Sequence, residues 1–376
     1  MHVVILGAGF GGLELATSLS ETLGDAIALT LIDKSDHFVF GYSKFDILFG
    51  GEAPEAVRLP YSALTKAGLT FRQETIRAID PDQKRVVTDR TTYEADILVV
   101  ALGADYDLDH TPGLRAFGNE FYTVAGAARA RSAITTFQGG TAVIAVVTPH
   151  YKCPPAPSEA AFLLHDNLIS RGLREKTNLM VISPFPTPLP VTPELGATFQ
   201  AAYDERAITF KGNTKIAAIT DAGKAIVTES GETIATDLIL SVPLHVAPQV
   251  VLDSGMTENG WIPTDKYTLQ SRYPDVFALG DVASVSVPRA GIFSEGQAKI
   301  VASQIIARVR KQDPSARYQG NGMCYVEFGD HTVGKVDVDF LSGPQQQATF
   351  YAATRDLRKE KSAFGSDRRA RWFGLP

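Results

Sequence analysis

The sequence predicts an α/β fold with two nested Rossmann-like domains and a small C-terminal region. Two observations support this prediction. The chain opens on a buried-strand pattern at residues 3–6, and a G-x-G-x-x-G motif and a helical run follow at once. In addition, the acid and apolar strand that begin at Asp96 recur at Asp237. Because this repeat is too long for a solenoid, it indicates that one βαβ domain was duplicated and inserted into the other.

The domain limits follow from this nesting. We expect the first Rossmann-like domain at residues 1–108 and 240–310, the second at 109–239, and the C-terminal region at 311–376. The 376 residues are 44% hydrophobic and 21% charged, an ordinary globular composition with enough length for two or three domains.

Composition also excludes several classes of protein. The net charge of -6 argues against a nucleic-acid partner. No apolar run approaches the ~18–20 residues of a membrane span. A strand pattern begins at His2 without a basic and apolar leader, so we expect a cytoplasmic protein. No metal site is expected, and the oligomeric state is left open.

The first glycine motif consists of Gly7, Gly9 and Gly12. The first glycine allows the tight turn, the second lets the backbone approach a pyrophosphate, and the third lets helix and strand pack closely. A second strand ends on Asp33, about 20 residues later, where an acid holds a ribose hydroxyl. The set predicts dinucleotide binding.

Two later segments are expected to contribute to the same dinucleotide site. The strand after Asp96 closes on a small-residue turn that contains Ala101 and Gly103. A short strand ends at Gly280, and Asp281 projects from its carboxyl end, where ligands bind in open α/β sheets.

A helix is predicted after Gly296 and Gln297, because Val301, Ile305 and Val309 recur every fourth residue. Its N-terminus is expected to offer positive dipole to a ligand that gains negative charge.

The second domain lacks the glycines of a nucleotide loop. The segment after its first strand, residues 148–159, carries Cys153 among prolines instead. Its next strand, residues 178–183, runs into a proline-rich segment rather than ending in an acid. Prolines supply no N–H groups, so a pyrophosphate cradle is hard to build there. We expect a nicotinamide site to be lost and replaced by sulfur chemistry.

Cys153 and Cys324 are the only cysteines of the sequence. In the cytosol such a pair is more often catalytic or redox-sensing than a structural disulfide. The alternative is that they are two unrelated buried thiols that act as small hydrophobes.

The C-terminal segment, residues 355–376, is basic and aromatic. It has seven basic and three acidic residues, a local charge of +4, and ends in Trp372 and Phe373 among others. Such a segment can lie on an anionic membrane. A solvated helix that packs its few apolar residues on the body explains the sequence equally well.

Taken together, the glycine motif, the Ala101–Gly103 turn and residues 278–281 resemble the FAD-dependent pyridine nucleotide-disulfide oxidoreductase superfamily, whose fold is of the glutathione-reductase type. The motif Lys-Cys-Pro-Pro-Ala-Pro at residues 152–157, with Cys324 beside Tyr325, is similar to the branch of sulfide:quinone oxidoreductases and flavocytochrome c sulfide dehydrogenases.

This resemblance implies a role for each matching residue. Gly7, Gly9 and Gly12 would hold the FAD pyrophosphate, and Asp33 the adenosine ribose. The ribityl and phosphate region would lie at Asp281, and the pyrimidine end of the flavin at Gly296 and Gln297. Cys153 and Cys324 would face one another over the flavin. Some family members carry a further cysteine near the active site, and this chain does not.

The resemblance also implies the reaction. Sulfide, or a persulfide, would attack an oxidised Cys153–Cys324 pair, and two electrons would pass through FAD to a quinone near Arg289 and the C-terminal helices. The helix after Cys153, Lys152, or both would stabilise the thiolate. Three alternatives stay open: a flavoprotein that reduces a cytochrome, an NADH:quinone oxidoreductase, and a flavin redox sensor without turnover.

Overall fold

Five parallel strands form the sheet that carries the first glycine motif. The computed structural model describes residues 1–375. The strands of this sheet are, in spatial order, Val276–Ala278, Ile97–Val100, His2–Leu6, Ala28–Asp33 and Leu69–Gln73. The central strands are largely apolar, which agrees with a sheet that is covered on both faces.

The two faces of this sheet are covered differently. Val3 and Ile5 pack against the helices Phe10–Leu23 and Gly291–Val309. Val4 and Leu6 pack against a small antiparallel sheet and the short helix Gln249–Leu252. Successive residues of a strand point to opposite faces, which explains this alternation.

The second sheet repeats this plan with four parallel strands. Their spatial order is Thr209–Lys211, Thr177–Ile182, Gly140–Val146 and Leu238–Val242. One face carries the helices Val124–Thr136, Ala156–Ser170 and Pro193–Glu205. The other face packs on a second small antiparallel sheet and the short helix Leu114–Phe117.

The two antiparallel sheets are near copies of one another. In the first, Ile76 pairs with Thr88 and the register then shifts so that Ala78 pairs with Val87. In the second, Ile216 pairs with Thr228 and Ala218 with Val227. The same β-bulge at the same step supports the predicted duplication. The strands concerned are Ile76–Asp80, Arg85–Thr88 and Thr92–Glu94, and Ile216–Thr220, Ala225–Thr228 and Thr233–Ala235.

The predicted fold class is confirmed, with two Rossmann-like sheets in one chain. Near the predicted boundary at residue 239, the strand Leu238–Val242 crosses the limit and pairs within the second sheet. Just beyond it, Leu244–Val246 pairs with Asp105–Asp107. The domain limits themselves stay a prediction.

Short elements complete the two domains. The loop after Asp33 contains the helical turns Ser43–Phe45 and Asp46–Gly50. Small strand pairs join His37–Phe38 to Leu59–Pro60, and Ile262–Pro263 to Ala283–Ser284.

The C-terminal region is an antiparallel sheet followed by a helix. The strands are Asn321–Gly329, Thr332–Asp339 and Gln347–Thr354, and the helix is Arg355–Arg368. Thr354 begins the helix, since its side-chain oxygen accepts a hydrogen bond from the N–H of Leu357 at 3.1 Å. The first strand packs against the helix Ala156–Ser170 of the second domain.

The aromatic pair Trp372 and Phe373 is buried rather than presented to solvent. A π-helical turn, Arg369–Phe373, brings Trp372 and Phe373 into the core beside the first sheet, where they are 0% and 3% exposed. These two aromatic residues are therefore not free to contact a membrane. Among residues 1–375, no helix combines the length and the apolar character that a membrane crossing needs.

Candidate active site

One cavity of about 450 Å³ connects the first glycine motif with both cysteines. It lies where the carboxyl ends of the first sheet meet the second domain and the C-terminal region. Nine of the residues predicted for the site line it: Gly7, Gly9, Asp33, Ala101, Gly103, Cys153, Gly280, Asp281 and Cys324.

The other three predicted residues lie behind the cavity wall. An added Cβ on Gly12 would meet the Gly7 carbonyl oxygen at 1.9 Å, so Gly12 serves close packing of helix on strand. Gln297 is buried, and its Oε1 accepts a hydrogen bond from the N–H of Gly280 at 2.6 Å. Gly296 lies against the ring of Tyr318. Gln297 therefore shapes the wall through Gly280 and does not itself line the cavity.

The glycine turn has the geometry of a phosphate cradle. Gly7 has φ of +98°, and a Cβ there would lie 2.4 Å from the Ala101 carbonyl oxygen. A Cβ on Gly9, in contrast, would meet no protein atom within 4 Å, because it would point into open space. The backbone at Gly9 can therefore approach a ligand closely.

Asp33 is held in place by two backbone groups. Its carboxylate oxygens accept hydrogen bonds from the N–H groups of Ala8 and Ser35, both at 2.8 Å. Burial raises the pKa of Asp33, although these hydrogen bonds oppose the shift. The carboxylate thus faces the cavity in a fixed orientation beside the glycine turn.

Asp281 is a buried carboxyl group with spare hydrogen-bonding capacity. Its Oδ1 atom has no hydrogen-bond partner within the chain. Burial raises its pKa, and the nearby cations Lys152 and Arg289 oppose the rise. An unpaired buried acceptor is costly, so a ligand hydroxyl at this position satisfies it.

The helix Gly291–Val309 points its N-terminus into the cavity, which Ala290, Gly291 and Ser294 line. No side chain caps its first turn. The free N–H groups and the positive end of the helix dipole therefore face the ligand. The apolar face predicted for this helix is confirmed, with Val301 and Ile305 fully buried. The cradle, Asp281 and this helix end fit FAD.

Cys153 occupies a strained turn just before the helix Ala156–Ser170. Its φ is +60°, a left-handed conformation that is uncommon for residues other than glycine. Two hydrogen bonds fix the turn: the N–H of Cys153 donates to the Arg289 carbonyl at 2.7 Å, and its carbonyl accepts from the Ala156 N–H at 2.9 Å. The thiol is thus held at one place in the cavity wall.

Cys324 reaches the same cavity from the strand Asn321–Gly329 of the C-terminal region. One hydrogen bond ties its strand to the helix after Cys153: Glu159 Oε1 accepts from the N–H of Glu327 at 3.1 Å. Both cysteines are free thiols in this structure.

The electrostatics around the thiols differ from the sequence prediction. Burial raises the pKa of Cys153 well above its ordinary value, and the Glu159 carboxylate adds to this effect. Burial and Glu159 likewise raise the pKa of Cys324 to about 12. The cation that opposes the shift at Cys153 is Lys361, whereas Lys152 interacts with Tyr106 and Asp281. Lys152 is therefore not among the main groups that lower the pKa of Cys153, and its predicted stabilisation of a thiolate is not favoured.

Residues 1–148 and 158–305 match the family model of pyridine nucleotide-disulphide oxidoreductases. The chain belongs to this family. FAD is the cofactor. Two stretches lie outside the match: residues 149–157, which contain Cys153 and its prolines, and residues 306–376, which contain Cys324.

Within this family the chain is similar to proteins with one recurring name. It is 26% identical to the mitochondrial sulfide:quinone oxidoreductase of Mus musculus, over 93% of this chain and 80% of that protein. It is also 26% identical to the sulfide-quinone reductase of Aquifex aeolicus, over 88% and 81%. The X-ray structure of the sulfide:quinone oxidoreductase from Aquifex aeolicus has a TM-score of 0.88 at 22% identity, over 99% of this chain and 92% of that one.

The segment that follows the first strand of the second sheet is filled with aromatic and apolar side chains. At the carboxyl end of the strand Gly140–Val146, Tyr151 is buried and its hydroxyl donates to the Pro154 carbonyl at 3.3 Å. Phe185 packs beside it with a ring distance of 6.2 Å, and Leu189 is buried in the same core. These packed side chains support the prediction that no glycine loop is present in this segment, and the loss of a nicotinamide site stays a prediction.

Three charged residues of the cavity were missed from the sequence: Lys44, Glu159 and Lys361. Glu159 follows Cys153 by six positions, so its place in the first turn of a predicted helix was a usable signal. Lys44 and Lys361 lie in a loop and in the C-terminal helix, and no local pattern marks them. Only the tertiary fold brings them to the cysteines.

Proposed function

We propose that this chain oxidises sulfide, or a persulfide, at Cys153 and Cys324 and passes two electrons by way of FAD to a quinone. The observation that carries the proposal is that both thiols line the cavity whose other end has the FAD cradle. The names of the most similar curated proteins support the choice of donor and acceptor. When bound, FAD supplies a two-electron acceptor.

The sulfur step begins from an oxidised Cys153–Cys324 pair. Hydrogen sulfide attacks one of the two sulfurs, so that a new sulfur–sulfur bond forms and the bond between the cysteines breaks. One cysteine becomes a persulfide and the other leaves as a thiol, which balances as H₂S + R–S–S–R′ → R–S–SH + R′–SH. The sulfide sulfur is oxidised, and the cysteine pair is reduced.

This exchange requires a proton to move. The attacking sulfide must lose a proton, and the leaving cysteine must gain one because its pKa is far above neutrality. Glu159 lines the cavity with both thiols and is only 2% exposed. It can take the proton from the one sulfur and return it to the other.

The pKa of Glu159 suits this role. Burial raises it to about 7, and the Lys361 ammonium and the Glu327 N–H oppose the rise. A group with a pKa near the working pH can both accept and donate a proton with little penalty. Desolvation inside the cavity is the physical cause of this tuning.

Glu159 has a charged connection toward the surface. Lys361 forms an ion pair with Glu327 at 2.6 Å, and the two side chains are 12% and 13% exposed. Arg358, which is about half exposed, lies 3.9 Å from the other oxygen of Glu327. Lys361 and Glu327 thus connect the buried Glu159 with the exposed side of the C-terminal helix, and Glu327 is the group of this set that can exchange a proton with solvent.

An aromatic part of the cavity suits a quinone ring. Tyr42, Phe45, Phe364 and Met323 line it near Lys361. Flat aromatic walls with one polar group are typical of sites that bind planar ligands. The position predicted for the quinone near Arg289 is not favoured, because that guanidinium lies 3.7 Å over the ring of Trp261 and donates to the Asp281 carbonyl.

The protein is also proposed to contact a membrane through its surface charge, where a lipid-soluble quinone is found. Arg355, Arg358 and Lys359 are exposed on the C-terminal helix close to Phe364. Exposed basic residues of this kind are attracted to anionic headgroups without insertion of a helix.

The test is an anaerobic titration of the FAD-loaded protein, followed by flavin absorbance. Sulfide should bleach the flavin, NADH should not, and a soluble quinone should restore the absorbance over repeated cycles. Bleaching by NADH would indicate that the protein oxidises a nicotinamide cofactor instead of sulfide. A single bleaching by sulfide with no sustained quinone reduction would indicate a redox sensor instead of an enzyme.

A further inference from the structure

We infer that the C-terminal segment Arg371–Trp372–Phe373 is a latch that positions the wall of the FAD cavity. The segment touches neither cysteine, and it packs behind the part of the cavity that holds the glycine turn. The ligand concerned is FAD, the cofactor of the family, and the proposed role of the latch does not depend on sulfide or quinone.

The latch is anchored on a buried carboxylate. Glu14 lies on the first helix, Phe10–Leu23, directly after the glycine turn, and its side chain is 0% exposed. Arg371 donates two hydrogen bonds to it, from Nη2 to Oε1 at 2.9 Å and from Nε to Oε2 at 3.0 Å. Trp372 adds a third from Nε1 to Oε2 at 2.9 Å.

Further contacts hold Arg371 itself. Its Nη1 atom donates to Glu21 at 2.9 Å, and its carbonyl accepts from Lys66 Nζ at 2.6 Å. Burial would raise the pKa of Glu14, but hydrogen bonds from Arg371 and Trp372 hold it below its ordinary value. The carboxylate is therefore charged, and Arg371 is the cation that compensates it. A buried charge that loses its partner is strongly destabilising.

The two aromatic residues of the latch support residues of the cavity wall. Trp372 contacts the ring of Phe10 edge-on at 5.4 Å and the ring of Phe38 at 5.6 Å. Phe373 lies 6.3 Å from the ring of Tyr61. Phe10, Phe38 and Tyr61 all line the cavity beside Gly7, Gly9 and Asp33.

This support extends to the backbone of the glycine turn. Phe10 is the residue directly after Gly9, so its ring position is coupled to the cradle. The Tyr61 hydroxyl donates to the Ala8 carbonyl at 2.7 Å, in the middle of the turn. The end of the chain thus fixes both the side chains and the backbone that would contact the pyrophosphate and adenosine of FAD.

The consequence is that FAD affinity depends on residues at the opposite end of the sequence. When the latch is released, the first helix keeps an unpaired carboxylate, and each of the three wall residues loses the aromatic neighbour that Trp372 or Phe373 provides. The cavity must then be ordered by FAD itself, and the ordering cost is taken from the binding free energy.

The experiment measures the dissociation of FAD from Arg371→Ala, Trp372→Phe and Lys359→Ala by the fluorescence of released FAD. Arg371→Ala should weaken FAD binding at least about tenfold, which corresponds to about 1.4 kcal/mol. Trp372→Phe keeps an aromatic ring but loses one hydrogen bond, so a smaller loss of a few-fold is expected. Lys359 is exposed and pairs only with Asp356 on the same helix, so Lys359→Ala should bind FAD as the wild type does.

Thermal unfolding of the FAD-free proteins separates positioning from general damage. If Arg371→Ala and Trp372→Phe bind FAD like Lys359→Ala, the latch is overturned, whatever happens to their unfolding temperatures. If Arg371→Ala does not fold, wild-type FAD affinity in Trp372→Phe is by itself sufficient to contradict the latch. Failure of the sulfide titration would leave these binding constants unaffected, so the two proposals are tested separately.

Discussion

Glu159 accepts a hydrogen bond from the backbone N–H of Glu327 at 3.1 Å, and this contact joins the two elements that carry the reactive thiols. Glu159 lies six residues after Cys153, and Glu327 lies three residues after Cys324. The same carboxyl group that aligns the two segments also raises the pKa of both thiols. The side chain proposed to transfer the proton is therefore also the one that aligns the cysteine-bearing segments.

Both cysteines are expected to be necessary for the reduction of the flavin by sulfide. Cys153→Ser and Cys324→Ser should each slow flavin reduction by sulfide at least about 100-fold, because no second sulfur remains to form the exchangeable bond. FAD content should stay at the wild-type level, and dithionite should still bleach the flavin. Stopped-flow absorbance under anaerobic conditions gives the rates. Near wild-type reduction in both variants would remove the cysteines from the reaction.

Replacement of Glu159 should change the pH dependence of flavin reduction. With a pKa of about 7, the carboxylate form accepts the proton, so the wild-type rate should rise as pH increases through that value. Glu159→Gln should be about 100-fold slower or more and should lose this rise. The ratio of the two rates cancels the titration of sulfide itself. A ratio that is constant from pH 5.5 to 8.5 would contradict the proton-transfer role.

The same pKa predicts how stability varies with pH. The folded chain keeps a proton on Glu159 up to about pH 7, whereas the ordinary value is 4.5. Between these values the folded state binds more protons than the unfolded state, so the free energy of unfolding falls as pH rises. The wild type should lose roughly 3 kcal/mol relative to Glu159→Gln across this window. Urea unfolding of the two FAD-free proteins at pH 4.5 and 7.5 measures the difference.

Substitution by alanine should affect FAD binding at Gly9 and fold stability at Gly12. A Cβ at Gly9 meets open space, so Gly9→Ala should fold normally and lose FAD affinity at least about tenfold because the methyl group occupies the ligand's position. A Cβ at Gly12 collides with the Gly7 carbonyl, so Gly12→Ala should lower the unfolding temperature of the FAD-free protein. Calorimetry and FAD titration of this pair distinguish a binding glycine from a packing glycine. Equal effects of the two changes would argue against this division.

Membrane contact, if made through the exposed basic residues, should leave Trp372 in place. Vesicles with anionic headgroups should bind the protein in a salt-dependent manner, since charge attraction is screened by salt. In Trp261→Phe, where Trp372 is the remaining tryptophan, brominated lipid should not quench the fluorescence. Strong quenching would show that the C-terminal turn leaves the core and inserts.

Local patterns were sufficient for the parts of the site that depend on backbone conformation. The glycine turn, Asp33 and Asp281 are each set by a strand end and the turn that follows it, and such ends are legible in a sequence. Gln297 shows the limit of this reasoning. It was expected beside the flavin, but its side chain bonds to the Gly280 amide and does not line the cavity.

The charges could not be placed from sequence because their partners are remote. Glu14 looks like a solvated helix residue, yet Arg371 pairs with it across 357 positions of the chain. Trp372 and Phe373 suit a membrane or a core equally well until their neighbours are known. Lys152 is adjacent to Cys153 in sequence, but its ammonium group turns away toward Tyr106 and Asp281.

The left-handed backbone conformation at Cys153 lowers the stability of the folded protein. A φ of +60° costs an ordinary residue roughly 1–2 kcal/mol, and glycine escapes most of this cost. Glycine at position 153 would relieve this backbone strain, although it has no sulfur. The strain is thus a cost in fold stability that accompanies a thiol at this point of the cavity wall.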